Sequence, residues 1–249
     1  GIISDEAIER ALTVLRFFRQ QIDEQRVPVE NCKALGTSAI RNAKNGAEFC
    51  QNIERETGIL IEVISGNREA ELIYEGVRQA LDLGEAPSLI MDIGGGSVEF
   101  IICNASRIFW KQSFEIGGQR LLEKFVHTDP VSFSAIQRMG NYFQEQLLPL
   151  LNAAHQYAPQ TLVGSSGSFD TLVDMDFMHR LRHLPDSQQT GFELTVEEFH
   201  RAYELLTTLN RDERMAIAGM IELRVDMIVP GVVLVAHVLK SLNIKQIRC

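Results

Sequence analysis

The sequence predicts an α/β protein with parallel strand pairing, on three observations. Through the first half of the chain, short apolar runs of strand type alternate with segments of helical periodicity. Three of the later strand-like runs border turns rich in glycine. The 249 residues, 45% hydrophobic and 23% charged, carry enough apolar surface for one large domain or two small ones. The same composition excludes disordered and collagen-like chains. The longest apolar runs, such as that from Ile228 to Leu239, contain Pro230 and His237 and fall short of the ~18–20 residues that cross a bilayer.

Ser4 followed by Asp5 and Glu6 reads as an N-cap with an acidic first turn, and Ile8, Leu12, Leu15 and Phe18 continue it as a helix over about residues 5–25. A short apolar stretch near Lys33–Leu35, a helical stretch through Phe49 and Ile53, a strand over Ile59–Ile64 and a helix after Ser65-Gly66 follow. Gly84 to Pro87 breaks the chain before a strand over Ser88–Ile93. A second strand over Ser97–Cys103 turns at Asn104-Ala105-Ser106 into Ile108–Phe114 as a hairpin. A helix is expected after Gly117-Gly118, a longer one over about Ser132–Ala154, then a strand over Thr161–Val163 opening into Gly164–Ser168 and another helix. Residues 179–195 read as a polar loop, Val196–Leu242 as helices, and the last residues as a strand. The expected organisation is a first domain over residues 1–73 and a second over 74–249, with the final helix and strand, about 228–249, free to return to the first.

Cys32, Cys50, Cys103 and Cys249 lie far apart without CxxC spacing, so neither a zinc site nor a disulfide framework is indicated, and a reducing cytoplasm is the default compartment. A formal net charge of −9 disfavours a general nucleic-acid binder. An anionic ligand would need a locally built site. The chain begins at Gly1 without Met and stops at Cys249 directly after a strand, and reads as part of something longer.

The strongest chemical signal is Asp92-Ile93-Gly94-Gly95-Gly96-Ser97-Val98-Glu99. A buried strand delivers Asp92 to its end, and residues without side chains let backbone N–H groups converge on a phosphate. No GK[ST] follows, so this is not a Walker loop but a β-hairpin; a tight hairpin without ligand is the plain alternative. Asp92 and Glu99 flank the glycines, where two carboxylates could hold a divalent cation or orient water. A second turn, Gly164-Ser165-Ser166-Gly167, again follows a strand and precedes a helix: either a generic connection or a second grip on a polyanion. Glu69 stands at a helix start, where a carboxylate offsets the helix dipole or, beside a phosphate, takes a proton from water. Arg41 matches phosphate oxygens bidentately, or forms a surface salt bridge. The basic stretch Met178-His179-Arg180-Leu181-Arg182-His183 reads as a solvated loop or a contact for an extended anion, and ion pairing with Glu213 and Glu222 accounts for Arg211, Arg214 and Arg224.

At these residues the chain resembles the Ppx/GppA phosphatases, the exopolyphosphatases and guanosine pentaphosphate phosphohydrolases of the actin-like sugar-kinase superfamily. Gly36-Thr37-Ser38-Ala39-Ile40-Arg41-Asn42-Ala43, Ser65-Gly66-Asn67-Arg68-Glu69-Ala70, Asp92–Glu99, Gly164–Ser168 and Arg224-Val225-Asp226-Met227-Ile228 are similar, in order, to five elements of that family. The family's first phosphate loop, upstream of its first helix, and a segment after its last strand have no counterpart here, so this exact chain is expected to turn over substrate poorly.

The resemblance implies two ribonuclease H-like (actin-like ATPase) domains with an interdomain cleft. It also implies hydrolysis of a terminal phosphoanhydride of inorganic polyphosphate or guanosine pentaphosphate. In that reading Glu69 is the catalytic base, Arg41, Gly94, Gly95, Gly96, Ser97, Gly164, Ser165, Ser166 and Gly167 bind phosphate, and Asp92 and Glu99 hold Mg²⁺, with Glu99 also counted as catalytic. No nucleic-acid or membrane partner is expected, and the resemblance leaves oligomeric state open, with a homodimer one option because members of that family often dimerise. Two rivals stand beside it: a superfamily kinase using ATP, and a non-hydrolysing polyphosphate- or nucleotide-binding module.

Overall fold

A computed structural model describes residues 1–186 and 188–249; position 187 of the expected polar loop lies outside the described residues. The chain is mixed α/β and divides into two compact units, Gly1–Glu69 and Ala70–Cys249. Each is taken by itself below.

In the first unit, helix α1 (Asp5–Glu24) starts where Ser4 Oγ accepts from the Ala7 amide, a cap that satisfies one of the helix's unpaired N–H groups. A single helical turn at Val29–Asn31 leads to strand β1 (Ala34–Gly36). Helices α2 (Ser38–Arg41) and α3 (Gly46–Thr57) follow, α3 ending at Gly58 in the left-handed conformation, φ 69°. Strand β2 (Ile61–Val63) pairs parallel with β1, setting Ala34 opposite Ile61 and Gly36 opposite Val63. Leu12 of α1 packs with Phe49 and Ile53 of α3 as the buried core, and the Asn45 side chain brackets both the amide and the carbonyl of Ile3. Helix α4 (Gly66–Ala80) begins in this unit and continues into the second, the division at Glu69/Ala70 and the expected boundary at 73/74 both falling inside it. From Ala70 onward α4 belongs to the second core, with Ala70 and Tyr74 packed against Ile90, Ile101 and Val163.

The second unit is built on a six-stranded sheet. Strands β3 (Ser88–Ile93), β4 (Val98–Cys103) and β5 (Ile108–Phe114) form an antiparallel meander. Helices α5 (Gly118–Phe125), α6 (Phe133–Gln146) and α7 (Leu148–Tyr157) precede β6 (Thr161–Ser165), which pairs parallel with β3. The single long helix expected over Ser132–Ala154 is two helices. Pro149, in the first turn of α7, has no N–H to continue the ladder of α6. Helix α8 (Gly167–Arg180) extends into the expected loop, and β7 (Glu193–Thr195) lies at its end. Helices α9 (Val196–Thr208), α10 (Arg211–Met215) and α11 (Ile228–Leu242) precede β8 (Gln246–Arg248). The strand order is β5-β4-β3-β6-β8-β7, so β8 lies within this sheet and α11 packs in the same unit's core, where the sequence left room for a return to the first domain.

Alternation along the strands separates the two faces of the sheet. Leu89, Met91, Ile93, Phe100 and Ile102 join the larger core with residues of α5, α6, α9 and α11, whereas Ile90, Ile101, Cys103 and Val163 face the smaller one. Strand β4 is buried at all six residues, the signature of a strand covered on both faces. Among the described residues, no helix is long and apolar enough to cross a membrane.

Candidate active site

The sequence-predicted residues fall into two sets, one in each unit. In the first, Arg41 at the end of α2 and Glu69 in the first turn of α4 form an ion pair, Nη1 to Oε2 3.2 Å, with the two side chains 20% and 17% exposed. The same Nη1 donates to the Ile64 carbonyl at 2.8 Å. Arg41 is therefore fixed between the end of the β2 segment and a carboxylate, and it sets the direction of Glu69.

The second set gathers at one end of the six-stranded sheet. Asp92 stands opposite Glu99 in the β3–β4 ladder and opposite Ser165 in the β3–β6 ladder, while Glu99 stands opposite Ser113 of β5. Residues opposite one another share a face, so Ser113, Glu99, Asp92 and Ser165 form one polar row across four strands. Glu99 is 1% exposed, and its Oε1 accepts from Ser113 Oγ at 2.6 Å. A carboxylate removed from water so completely requires such donors.

The glycine loop is held by its carbonyls. Gly94 O accepts from the Gly118 amide at 2.8 Å, Gly95 O from the Gln119 amide at 3.0 Å, and Gly96 O from Arg120 Nε at 2.7 Å and the Gly117 amide at 3.3 Å. Among the described residues, the amides of Gly95, Gly96 and Ser97 donate to none of the carbonyls. The absence of a side chain at Gly117 is what permits this approach: a Cβ there would lie 2.5 Å from Gly95 C, Gly95 O and Gly96 C.

The second glycine turn is fastened to the first. Ser166 Oγ accepts from the Ile93 amide at 3.3 Å and donates to the Ile93 carbonyl at 3.0 Å. Ser166 adopts φ 77°, ψ 166°, a region populated essentially by glycine and costing about 1–3 kcal/mol for other residues. Strain of this kind persists where the surroundings over-determine it, and functional turns are where it collects. Gly164 is needed for room, since a Cβ there would overlap the Phe169 ring, and the Arg224 guanidinium occupies the space a Cβ on Gly167 would take.

That last contact corrects one expectation. Arg211 pairs with Glu222 and Asp226, and Arg214 with Asp129, but among the described residues Arg224 forms no ion pair within 4.0 Å and packs its guanidinium against Gly167. It faces the first turn of α8, where burial pushes the Asp170 carboxyl up and Arg224 partly offsets that rise. Of the basic stretch, Arg180 is engaged by Asp176 and Glu198, while His179, Arg182 and His183 are exposed.

Sequence reasoning missed Ser113 and Arg120, which stand in none of the motifs it singled out, and it gave no site role to Gly117 or Arg224, although the pair Gly117-Gly118 and the segment Arg224–Ile228 were both in view. Among the described residues no three His, Cys, Asp or Glu side chains are grouped to hold a metal. Two adjacent carboxylates fit Mg²⁺ nonetheless, because this ion keeps waters and takes substrate phosphate oxygens beside one or two carboxylates.

Known proteins resemble this chain over nearly its whole length. The exopolyphosphatase of Cytophaga hutchinsonii, a solved structure, matches 100% of the chain at 46% identity and TM-score 0.95, the chain covering 79% of it. A putative exopolyphosphatase of Haemophilus influenzae is 26% identical over 100% of the chain and 73% of its own length. A bifunctional 3-dehydroquinate synthase/phosphatase of Fusobacterium nucleatum is 28% identical over 95% of the chain, which spans 35% of that longer protein. The family model of the Ppx/GppA phosphatases matches residues 1–249: the chain belongs to the Ppx/GppA phosphatase family.

Proposed function

We propose that this chain carries the machinery of a phosphohydrolase that removes the terminal phosphate of inorganic polyphosphate, with guanosine pentaphosphate as a second substrate ending in the same phosphoanhydride. The observation that carries the proposal is the glycine loop: its three carbonyls are tied off by Gly117–Arg120, leaving amides at the end of β3 for an anion, beside the Asp92/Glu99 pair. The names of the Cytophaga and Haemophilus proteins support polyphosphate as the substrate.

In this reading the amides of Gly95, Gly96 and Ser97 and the turn Ser165–Gly167 take the phosphate oxygens, pre-aimed where charge accumulates during transfer. Arg224, beside Gly167, adds a positive charge to the second turn. Glu69 accepts the proton of the attacking water, and Arg41 holds that carboxylate in place and brings its positive charge to the phosphate. Asp92 and Glu99 would hold Mg²⁺, which when bound neutralises phosphate charge.

The test is phosphate release from long-chain polyphosphate and from guanosine pentaphosphate, by the natural protein in full length, with Mg²⁺ and with EDTA. Release that requires Mg²⁺ is expected. Transfer of phosphate to an acceptor would favour a kinase, and tight binding without release a binding module.

A further inference from the structure

We propose that Ser113, at the end of β5, is a positioning residue for the Glu99 carboxylate; the inference rests on the phosphohydrolase reading above. Glu99 lies on the face of β4 that also carries Ile101 and Cys103, both packed in the smaller apolar core. An apolar residue would serve that face at least as well for stability, because a buried carboxylate loses more hydration than the sheet returns. Its presence at the strand end beside the glycine loop therefore points to chemistry, and the chemistry needs the carboxylate aimed. Ser113 supplies the aim: directly opposite in the ladder, it donates Oγ–H to Glu99 Oε1 at 2.6 Å, a short charge-assisted bond.

The same stretch of chain fixes the phosphate loop. Four residues beyond Ser113, Gly117 begins the run of donors that hold the carbonyls of Gly94, Gly95 and Gly96. Residues 113–120 thus set both the carboxylate and the loop from one continuous backbone. Outer partners of this kind typically govern cation affinity or activity by about 10–100-fold.

The experiment compares wild type, Ser113→Ala, Ser113→Thr and Glu99→Gln in the full-length protein, with two readouts. The first is kcat and KM for polyphosphate; the second is Mg²⁺ affinity by calorimetry without substrate. Ser113→Ala is expected to lower kcat and Mg²⁺ affinity by about 10-fold or more with KM within about 2-fold, and Ser113→Thr, which keeps the hydroxyl, to recover most of both. If the alanine variant does not fold, Ser113→Cys, close in size with a much weaker donor, is read in its place with the same expectation. Wild-type kcat and Mg²⁺ affinity in Ser113→Ala beside a disabled Glu99→Gln would overturn the role of Ser113 alone. Full activity and Mg²⁺ affinity in Glu99→Gln would overturn the reading of Glu99 and this inference with it.

Discussion

Gly117→Ala adds one methyl group where the second unit has no room for it. The residue has φ −62° and ψ 163°, extended backbone that alanine adopts freely, so the cost is one of space. The new Cβ would lie 2.5 Å from Gly95 C, Gly95 O and Gly96 C, against about 3.5–4.0 Å for carbon atoms in ordinary contact. All three are backbone atoms, so no side chain can swing aside. The glycine loop and the start of α5 must separate by about 1 Å, with an overpacking cost of about 1–3 kcal/mol. At about 2–4 °C per kcal/mol for a protein of this size, thermal unfolding should come several degrees earlier. The loss of activity should be larger, on the order of 100-fold in kcat/KM, because the amides proposed to bind phosphate move off their geometry. Gly140→Ala in α6 is the control: nothing lies within 4 Å of its added Cβ, and helix propensity should leave it about 0.5–1 kcal/mol more stable at unchanged activity. Wild-type melting and kcat/KM in Gly117→Ala would refute the reasoning about the loop.

The strained serine separates two effects: Ser166→Ala keeps the unfavourable φ and loses both bonds to Ile93, whereas Ser166→Gly loses the bonds but relieves the strain, so denaturant titration should find the alanine variant the less stable. Arg214, 5% exposed at its side chain, donates to Asp129 and to the carbonyls of Leu209 and Val225; Arg214→Met should cost about 3 kcal/mol of unfolding free energy by leaving those acceptors unpaired. His237 has a pKa held down by burial and then by Lys240, and its Nε2 has no partner among the described residues. The unfolded chain therefore binds this proton more readily, so stability is full above about pH 6.5 and falls as pH drops below it. His237→Leu should flatten that fall between pH 7 and 5 in a series of thermal melts.

Most of the succession of elements along the chain and both glycine turns were legible because strong local signals carry them: apolar runs, glycine clusters and caps. The helix break at Leu147 was legible in principle, since Pro149 cannot donate to α6, but the apolar periodicity runs straight through it. The partner of Glu99 was not. Extending the Cys103–Ile108 pairing without interruption would set Glu99 opposite Gln112. A register shift between Ile102 and Cys103 brings Ser113 there instead, and a one-residue slip exchanges the faces of a strand. Arg224 was hidden for a different reason. Its neighbours Arg211 and Arg214 do form ion pairs, and only the overlap a side chain at Gly167 would suffer reveals that Arg224 is spent on the glycine turn. Glu69 and Arg41 were each visible in their motifs, yet their direct pairing depends on how α2 and the start of α4 lie around the short parallel sheet.

The most direct measurement is single-turnover phosphate release from polyphosphate by the full-length protein and its Glu69→Gln variant, with substrate affinity determined in parallel. The account predicts a loss on the order of 10²–10⁴-fold in the release rate, with binding within a few-fold of wild type. Release at the wild-type rate from Glu69→Gln would contradict it.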